Sequence, residues 1–230
     1  MSLDLSEKNA VLFDMDGVLY DSMPHHVAAW TRTFADFGMH MEPCDVYMNE
    51  GCTGSYTISK VSLEQRGREA TAQEIEDIYA HKAEIFRTLP EVEIMKGALE
   101  LMAGVRESGR KILIVTGSGQ KNLISRVLRD FDGFIVREHM VTAFDVKRGK
   151  PFPDPYLKGL ELAGVSASHA VVVENAPLGI RAGVAAGIDV IAVNTGPLPD
   201  SVLLDEKPAA LFHSVGELAD YWKSETVQGR

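Results

Sequence analysis

The sequence predicts an α/β fold: an open parallel sheet with a helical domain inserted after its first strand. Three observations carry that expectation. Short runs rich in Val, Ile and Leu recur without period-two alternation, as in strands covered on both faces. Helical stretches separate most of these runs, which is the rhythm of a parallel sheet. One interval between runs, roughly 95 residues, is far longer than an ordinary crossover.

The runs are AVLFD (10–14), KILIVT (111–116), AVVVE (170–174), DVIAVN (189–194) and AALFH (209–213), and Gly133–Val136 is expected to add a further short strand. Helices are expected over 119–129, 155–163 and 177–186. The long interval reads mostly as helix. In 71–89, Ile75, Ile78, Tyr79, Ile85, Phe86 and Leu89 share one helical face, and Val27, Trp30, Thr31 and Phe34 do so earlier. A small helical domain over 22–92, inserted into a sheet domain made of 1–21 and 93–230, accounts for this. The chain re-enters the sheet domain through MKGALELMAGV. Extra helices packed on the sheet itself are the plainer alternative.

Bulk composition narrows the function classes. The chain has 230 residues, 45% hydrophobic and 24% charged, with a net charge of −10. That balance excludes a broad nucleic-acid or anionic-membrane surface. Cys44 and Cys52 are too few for a disulfide framework and suit a reducing compartment, so the cytoplasm is the expected location. No stretch approaches a membrane span. Nothing in the sequence sets the oligomeric state, for which a monomer is the default.

Open α/β sheets bind ligands at the carboxyl ends of their strands. Asp14 and Asp16 stand at the end of the first run; Thr116, Gly117 and Ser118 at the end of KILIVT; Glu174 and Asn175 at the end of AVVVE. Lys150 lies in RGKPFPDPY, just before the helix that precedes AVVVE. Carboxylates, a hydroxyl with free N–H groups and one ammonium suit a phosphate and a hard cation such as Mg²⁺, which takes oxygen ligands. Such a cation also offsets the repulsion between Asp14 and Asp16.

The segment FDMDGVLYDS (13–22) resembles the DxDGxxxDS signature of the haloacid dehalogenase-like superfamily of phosphohydrolases. TGS (116–118), GKPFPDP with Lys150, and the pair at 174–175 follow in the family's order, so the resemblance spans the chain. It implies a Rossmann-like core with an α-helical cap domain, and HHVAAW (25–30) and ENAPLGI (174–180) point to the β-phosphoglucomutase and sugar-phosphatase branch. Carried onto this sequence, the resemblance implies that Asp14 is the nucleophile, forming an aspartyl-phosphate, and that Asp16 is the acid/base. It implies that Mg²⁺ is held by Asp14, the Asp16 backbone carbonyl, Glu174 and Asn175. Thr116, Gly117, Ser118 and Lys150 would bind the phosphoryl group, Lys150 would keep Asp14 ionised, and His26 would support the acid/base. The implied activity is phosphatase action on small phosphorylated metabolites, with sugar phosphates foremost and β-phosphoglucomutase as the alternative. A non-catalytic phosphometabolite-binding protein is a third reading.

Plainer roles stand beside these. Thr116 and Ser118 suit caps of the following helix, Trp30 a core residue, and the two cysteines inert thiols. GSGQKN (117–122) lacks the last glycine of a dinucleotide fingerprint, having Asn122 there, and FDVKRGKP lacks the first P-loop glycine. Two departures from the family pattern stand out. Asn175 replaces the usual aspartate ligand, and Cys52 in GCTG (51–54) replaces an arginine of related sugar phosphatases that would meet a second phosphate. The second departure favours a phosphatase over a mutase.

Overall fold

The structure, a computed structural model, describes residues 4–119 and 121–228. Its centre is a six-stranded parallel sheet in the order β3-β2-β1-β4-β5-β6. The strands are β1 (Ala10–Phe13), β2 (Lys111–Val115), β3 (Met140–Val141), β4 (Ala170–Glu174), β5 (Asp189–Val193) and β6 (Ala210–Phe212). Phe13 of β1 lies level with Ile114 of β2 and Val173 of β4, so the three motif-bearing strand ends emerge side by side. Successive side chains point to opposite faces. Val11, Phe13, Ile114 and Val173 enter one apolar cluster, and Ala10, Leu12, Leu113 and Val172 enter the other. Both faces are covered, which is why no alternation was visible. Helices α5 (Ala98–Glu107), α6 (Lys121–Asp130) and α10 (Val215–Gln228) contribute residues to the first cluster, and α7 (Asp154–Ala163), α8 (Pro177–Ala185) and α9 (Asp200–Leu204) to the second.

Gly133–Val136 does not form the expected strand. The N–H groups of Phe134 and Ile135 turn back to the Phe131 carbonyl, closing the end of α6, and so cannot enter a ladder. The strand beside β2 lies later, at Met140–Val141.

Between β1 and α5 the chain forms α1 (Met23–Asp36), α2 (Pro43–Met48), α3 (Gly54–Arg66) and α4 (Ala72–Thr88). Met23, Trp30, Phe34, Met39, Met41, Val46, Ile58, Val61 and Ile78 form a third cluster, separate from the two on the sheet. The start of α4 is held by a capping box between Thr71 and Glu74, which satisfies two otherwise orphaned donors. The chain leaves and re-enters the sheet region through crossing segments: Asp21 N–H bonds Glu93 O at 3.0 Å, and Met95 N–H bonds Leu19 O at 2.8 Å. Among the described residues no helix is long and apolar enough to cross a membrane.

Candidate active site

Asp14 follows β1 and is held in line by its N–H bond to Val173 O at 2.9 Å. Its carboxylate is buried, and Lys150 Nζ donates to Oδ1 at 2.5 Å. The same ammonium donates to Glu174 Oε1 at 2.6 Å and to the Val115 carbonyl at 3.0 Å. Lys150 is itself fully buried, so a side chain 136 positions away in sequence joins the ends of β1, β2 and β4. Tyr156, from α7, adds its hydroxyl to Glu174 Oε1 at 2.9 Å, while Oε2 accepts the N–H groups of Asn175 and Ala176. Gly179 completes this seat, since a Cβ there would stand 1.8 Å from Glu174 Oε1.

This geometry bears on two expectations. Glu174, expected as a direct cation ligand, already accepts four protein hydrogen bonds, two on each oxygen. Its geometry is that of an anchor for Lys150. Lys150, expected to keep Asp14 ionised, is shared between Asp14 and Glu174. One ammonium serves two carboxylates, and burial together with the Glu174 charge pushes the Asp14 carboxyl well above the usual range despite Lys150. The cluster therefore has room for one more positive charge. Its chemistry fits a hard cation: Asp14 Oδ2 and Asn175 Oδ1 are buried oxygens without a hydrogen-bond partner. The Asn175 amide packs against Gly17, where a Cβ would stand 2.0 Å from Nδ2 and where φ is +79°. Among the described residues no three His, Cys, Asp or Glu side chains form a ready metal cluster, so an amide and backbone oxygens would have to share the coordination.

Asp16 sits in a separate network. Its Oδ1 accepts the Ser22 hydroxyl at 2.6 Å and lies 3.1 Å from His26 Nε2. Behind His26, Lys82 Nζ lies 3.0 Å from Nδ1. Lysine can only donate here, so Nδ1 accepts and Nε2–H donates to Asp16: the chain of contacts sets the tautomer. Burial opposes the Asp16 charge, but His26, Ser22 and Lys82 outweigh it and hold the carboxyl below its ordinary value. Burial lowers Lys82 to about 8, against the opposing pull of Glu50 and Asp16.

Ser22 lies just before α1, His26 is on α1 and Lys82 on α4, so the helical insert supplies the surroundings of Asp16. Lys82 was not anticipated, although a signal existed. It falls four residues from Ile78 and from Phe86, on the apolar face of α4, where a lysine is out of place without partners. His25 does not join this network. Both its ring nitrogens are buried without partners, and the ring packs beside Phe86.

A small cleft, open to solvent, lies between insert and sheet. Asp16, His26, Lys82, Gly117 and Ser118 line it together with Trp30, Asn49, Glu50, Cys52, Thr57 and Tyr79. Trp30 is thus both a member of the insert's core and a wall of the cleft, stacked on Phe34. Thr116 Oγ1 accepts the Ser118 N–H at 3.0 Å, a bond within the turn that precedes α6. Burial pushes the Cys52 thiol up to about 12, consistent with an unreactive sulfur. In the GSGQKN stretch, Gln120 lies outside the described residues.

Comparison with known proteins identifies relatives of this chain. The model of the haloacid dehalogenase-like hydrolase family matches residues 11–193. Hexitol phosphatase A of Escherichia coli is 35% identical over 188 residues, covering 80% of this chain and 82% of that protein. Glycerol-1-phosphate phosphohydrolase 1 of Saccharomyces cerevisiae is 31% identical, covering 81% and 75% respectively. A solved structure from Bacteroides vulgatus, provisionally described as a beta-phosphoglucomutase, is 47% identical with a TM-score of 0.92, covering 96% of this chain and 90% of that one. By the family match over residues 11–193 and the likeness to hexitol phosphatase A, the chain belongs to the haloacid dehalogenase-like hydrolases and is a phosphatase of that family.

Proposed function

We propose that the protein is a Mg²⁺-dependent, cytoplasmic phosphatase of small phosphorylated metabolites, sugar or polyol phosphates foremost, working through an aspartyl-phosphate. The observation that carries this reading is the buried Asp14, with one oxygen on Lys150 and the other without a partner. One carboxylate oxygen of Asp14 attacks phosphorus, the bond to the leaving oxygen breaks, and Asp16, protonated once the anionic substrate has entered beside it, delivers that proton to the leaving oxygen. Asp16 then takes a proton from water, which attacks phosphorus and breaks the P–O bond to Asp14, restoring the enzyme. Asp14, Asn175 and the Asp16 carbonyl would hold the cation, with Glu174 steadying Lys150 behind them. When bound, Mg²⁺ would supply positive charge against the phosphoryl oxygens and against Asp14. The Thr116 hydroxyl and the turn at 116–118 would meet the phosphoryl oxygens, Lys150 supplies positive charge from behind Asp14, and Ser22, His26 and Lys82 orient Asp16.

Residues 22–92 act in this reading as a cap that closes over the cleft and excludes bulk water. Of the residues lining the cleft, Lys82 is the one lysine or arginine, and its ammonium is engaged by His26. Glu50 and Cys52 stand in the same wall. This favours a neutral leaving group over a second phosphate. The mutase reading is kept because of the similarity to the Bacteroides vulgatus structure. Incubation with a panel of sugar and polyol monophosphates and Mg²⁺, including β-glucose 1-phosphate with and without a bisphosphate primer, tests both. Free phosphate from at least one substrate is expected. Conversion to glucose 6-phosphate without phosphate release would replace the phosphatase reading with the mutase.

A further inference from the structure

The loop over 194–198, directly after β5, meets both parts of the molecule through neighbouring residues. Thr195 donates its hydroxyl to the Gly17 carbonyl at 2.7 Å. Gly17 immediately follows Asp16, and its φ of +79° makes it the pivot of the turn that presents that carboxylate. One residue on, Gly196 lies under the ring of Tyr47, from α2 in the insert. A Cβ at 196 would stand 2.9 Å from Tyr47 Cδ1 and Cε1. Gly196 has no left-handed φ, so its backbone does not require glycine; the close approach of Tyr47 does. Asn194 braces the loop from within, donating to Leu198 O at 2.9 Å and to Asp200 Oδ1 at 2.7 Å.

Two other glycines meet the insert in the same way. A Cβ on Gly117 would stand 2.5 Å from Gly51 O, and one on Gly149 2.7 Å from Thr53 Cγ2. Both adjoin the phosphate-binding and Lys150 segments, whereas the 194–198 loop has no other part in the chemistry.

We propose that Thr195 and Gly196 are a positioning pair that couples seating of the insert to alignment of Asp16. Thr195 steadies the turn after Asp16, and Gly196 leaves the space into which Tyr47 settles when the insert is seated. Because adjacent residues of one braced loop carry both contacts, the acid/base is aligned where the cleft is closed to water. This rests on the reading of Asp16 as proton donor and of 22–92 as a closing cap.

The test measures kcat and KM for hydrolysis of a generic aryl phosphate at saturating Mg²⁺, together with thermal stability. A second arm follows proteolysis near 20–24 with and without Mg²⁺ and inorganic phosphate. Thr195→Val is expected to lower kcat about five-fold, the effect of one hydrogen bond, with KM unchanged and Tm lowered by no more than a few degrees. Thr195→Ser restores it. Gly196→Ala is expected to raise KM and to abolish ligand protection against proteolysis, and adding Tyr47→Ala restores that protection. Wild-type kcat in Thr195→Val, or full protection in Gly196→Ala, overturns the coupling. So does a Thr195→Val defect that follows a loss of Tm and that serine does not repair. Retained turnover in Asp14→Asn would instead overturn the catalytic reading, and the proteolysis arm then decides the coupling without turnover.

Discussion

Replacing Lys82 with methionine is expected to make the protein less active without making it less stable. Lys82 is 2% exposed, and burial holds its pKa at about 8 instead of 10.5. A displacement of that size corresponds to ~3 kcal/mol of penalty for keeping the ammonium charged inside the fold at neutral pH. Methionine removes that penalty and keeps contact with Trp30 and Phe86, whose ring centroids lie 5.2 and 4.8 Å from Nζ. Against this, His26 Nδ1 loses its donor, a cost of ~1–3 kcal/mol. The balance lies between no change and a gain of ~2 kcal/mol, a rise in Tm of up to ~8 °C for a chain of this size. Activity moves the other way. Without a donor at Nδ1 the His26 tautomer is no longer set and Asp16 loses its oriented partner, so kcat is expected to fall at least tenfold, ~1.4 kcal/mol.

Thermal unfolding and phosphate release measured on the same preparations decide the matter. The sign of the pH dependence gives a second check. Between about 8 and 10.5 the unfolded chain holds the Lys82 proton and the folded one has released it, so wild-type stability rises with pH across that window. The penalty is complete below it, so the gap between variant and wild type is widest at neutral pH and narrows towards 10.5. A Tm more than a few degrees below wild type, or wild-type kcat, would refute the reasoning.

Asp14→Asn is expected to abolish turnover, because an amide cannot form the phosphoenzyme; residual activity above about a tenth of wild type contradicts the nucleophile assignment. Asn175→Asp adds an anionic oxygen beside Asp14 and is expected to lower the Mg²⁺ concentration for half-maximal activity at least about threefold; an unchanged midpoint in a magnesium titration means residue 175 is not a ligand. His26→Ala and Asp16→Asn are both expected to slow turnover, whereas His25→Ala, whose ring nitrogens have no partner, has little effect; a larger loss in His25→Ala than in Asp16→Asn, from steady-state kinetics, would reverse the acid/base assignment.

Much of the fold was legible because its signals are local. Buried parallel strands must be apolar on both faces, so AVLFD, KILIVT and AVVVE announced themselves without any knowledge of their partners. Motif residues at strand ends were legible for the same reason: Asp14, Thr116 and Glu174 each terminate a run. The helical insert showed itself as a break in rhythm. The strand expected at Gly133–Val136 failed because a short apolar stretch satisfies a helix-terminating turn as well as a ladder, and only the Phe131 carbonyl decided between them.

By itself the sequence determined the α/β class and the polar residue types that end the first, second and fourth strands, since these follow from periodicity and from residue type along the chain. Only tertiary structure decided how charge is shared among them. Lys150 divides its ammonium between Asp14 and Glu174, 136 and 24 positions away along the chain. Lys82 reaches Asp16 through His26 across 56 positions of chain, and Thr195 reaches Gly17 across 178. Hydrogen bonds and Coulomb interactions act over a few ångströms in space and are indifferent to separation along the chain. Which donor meets which acceptor, and with it each group's proton affinity, is therefore settled when the sheet and the insert pack together.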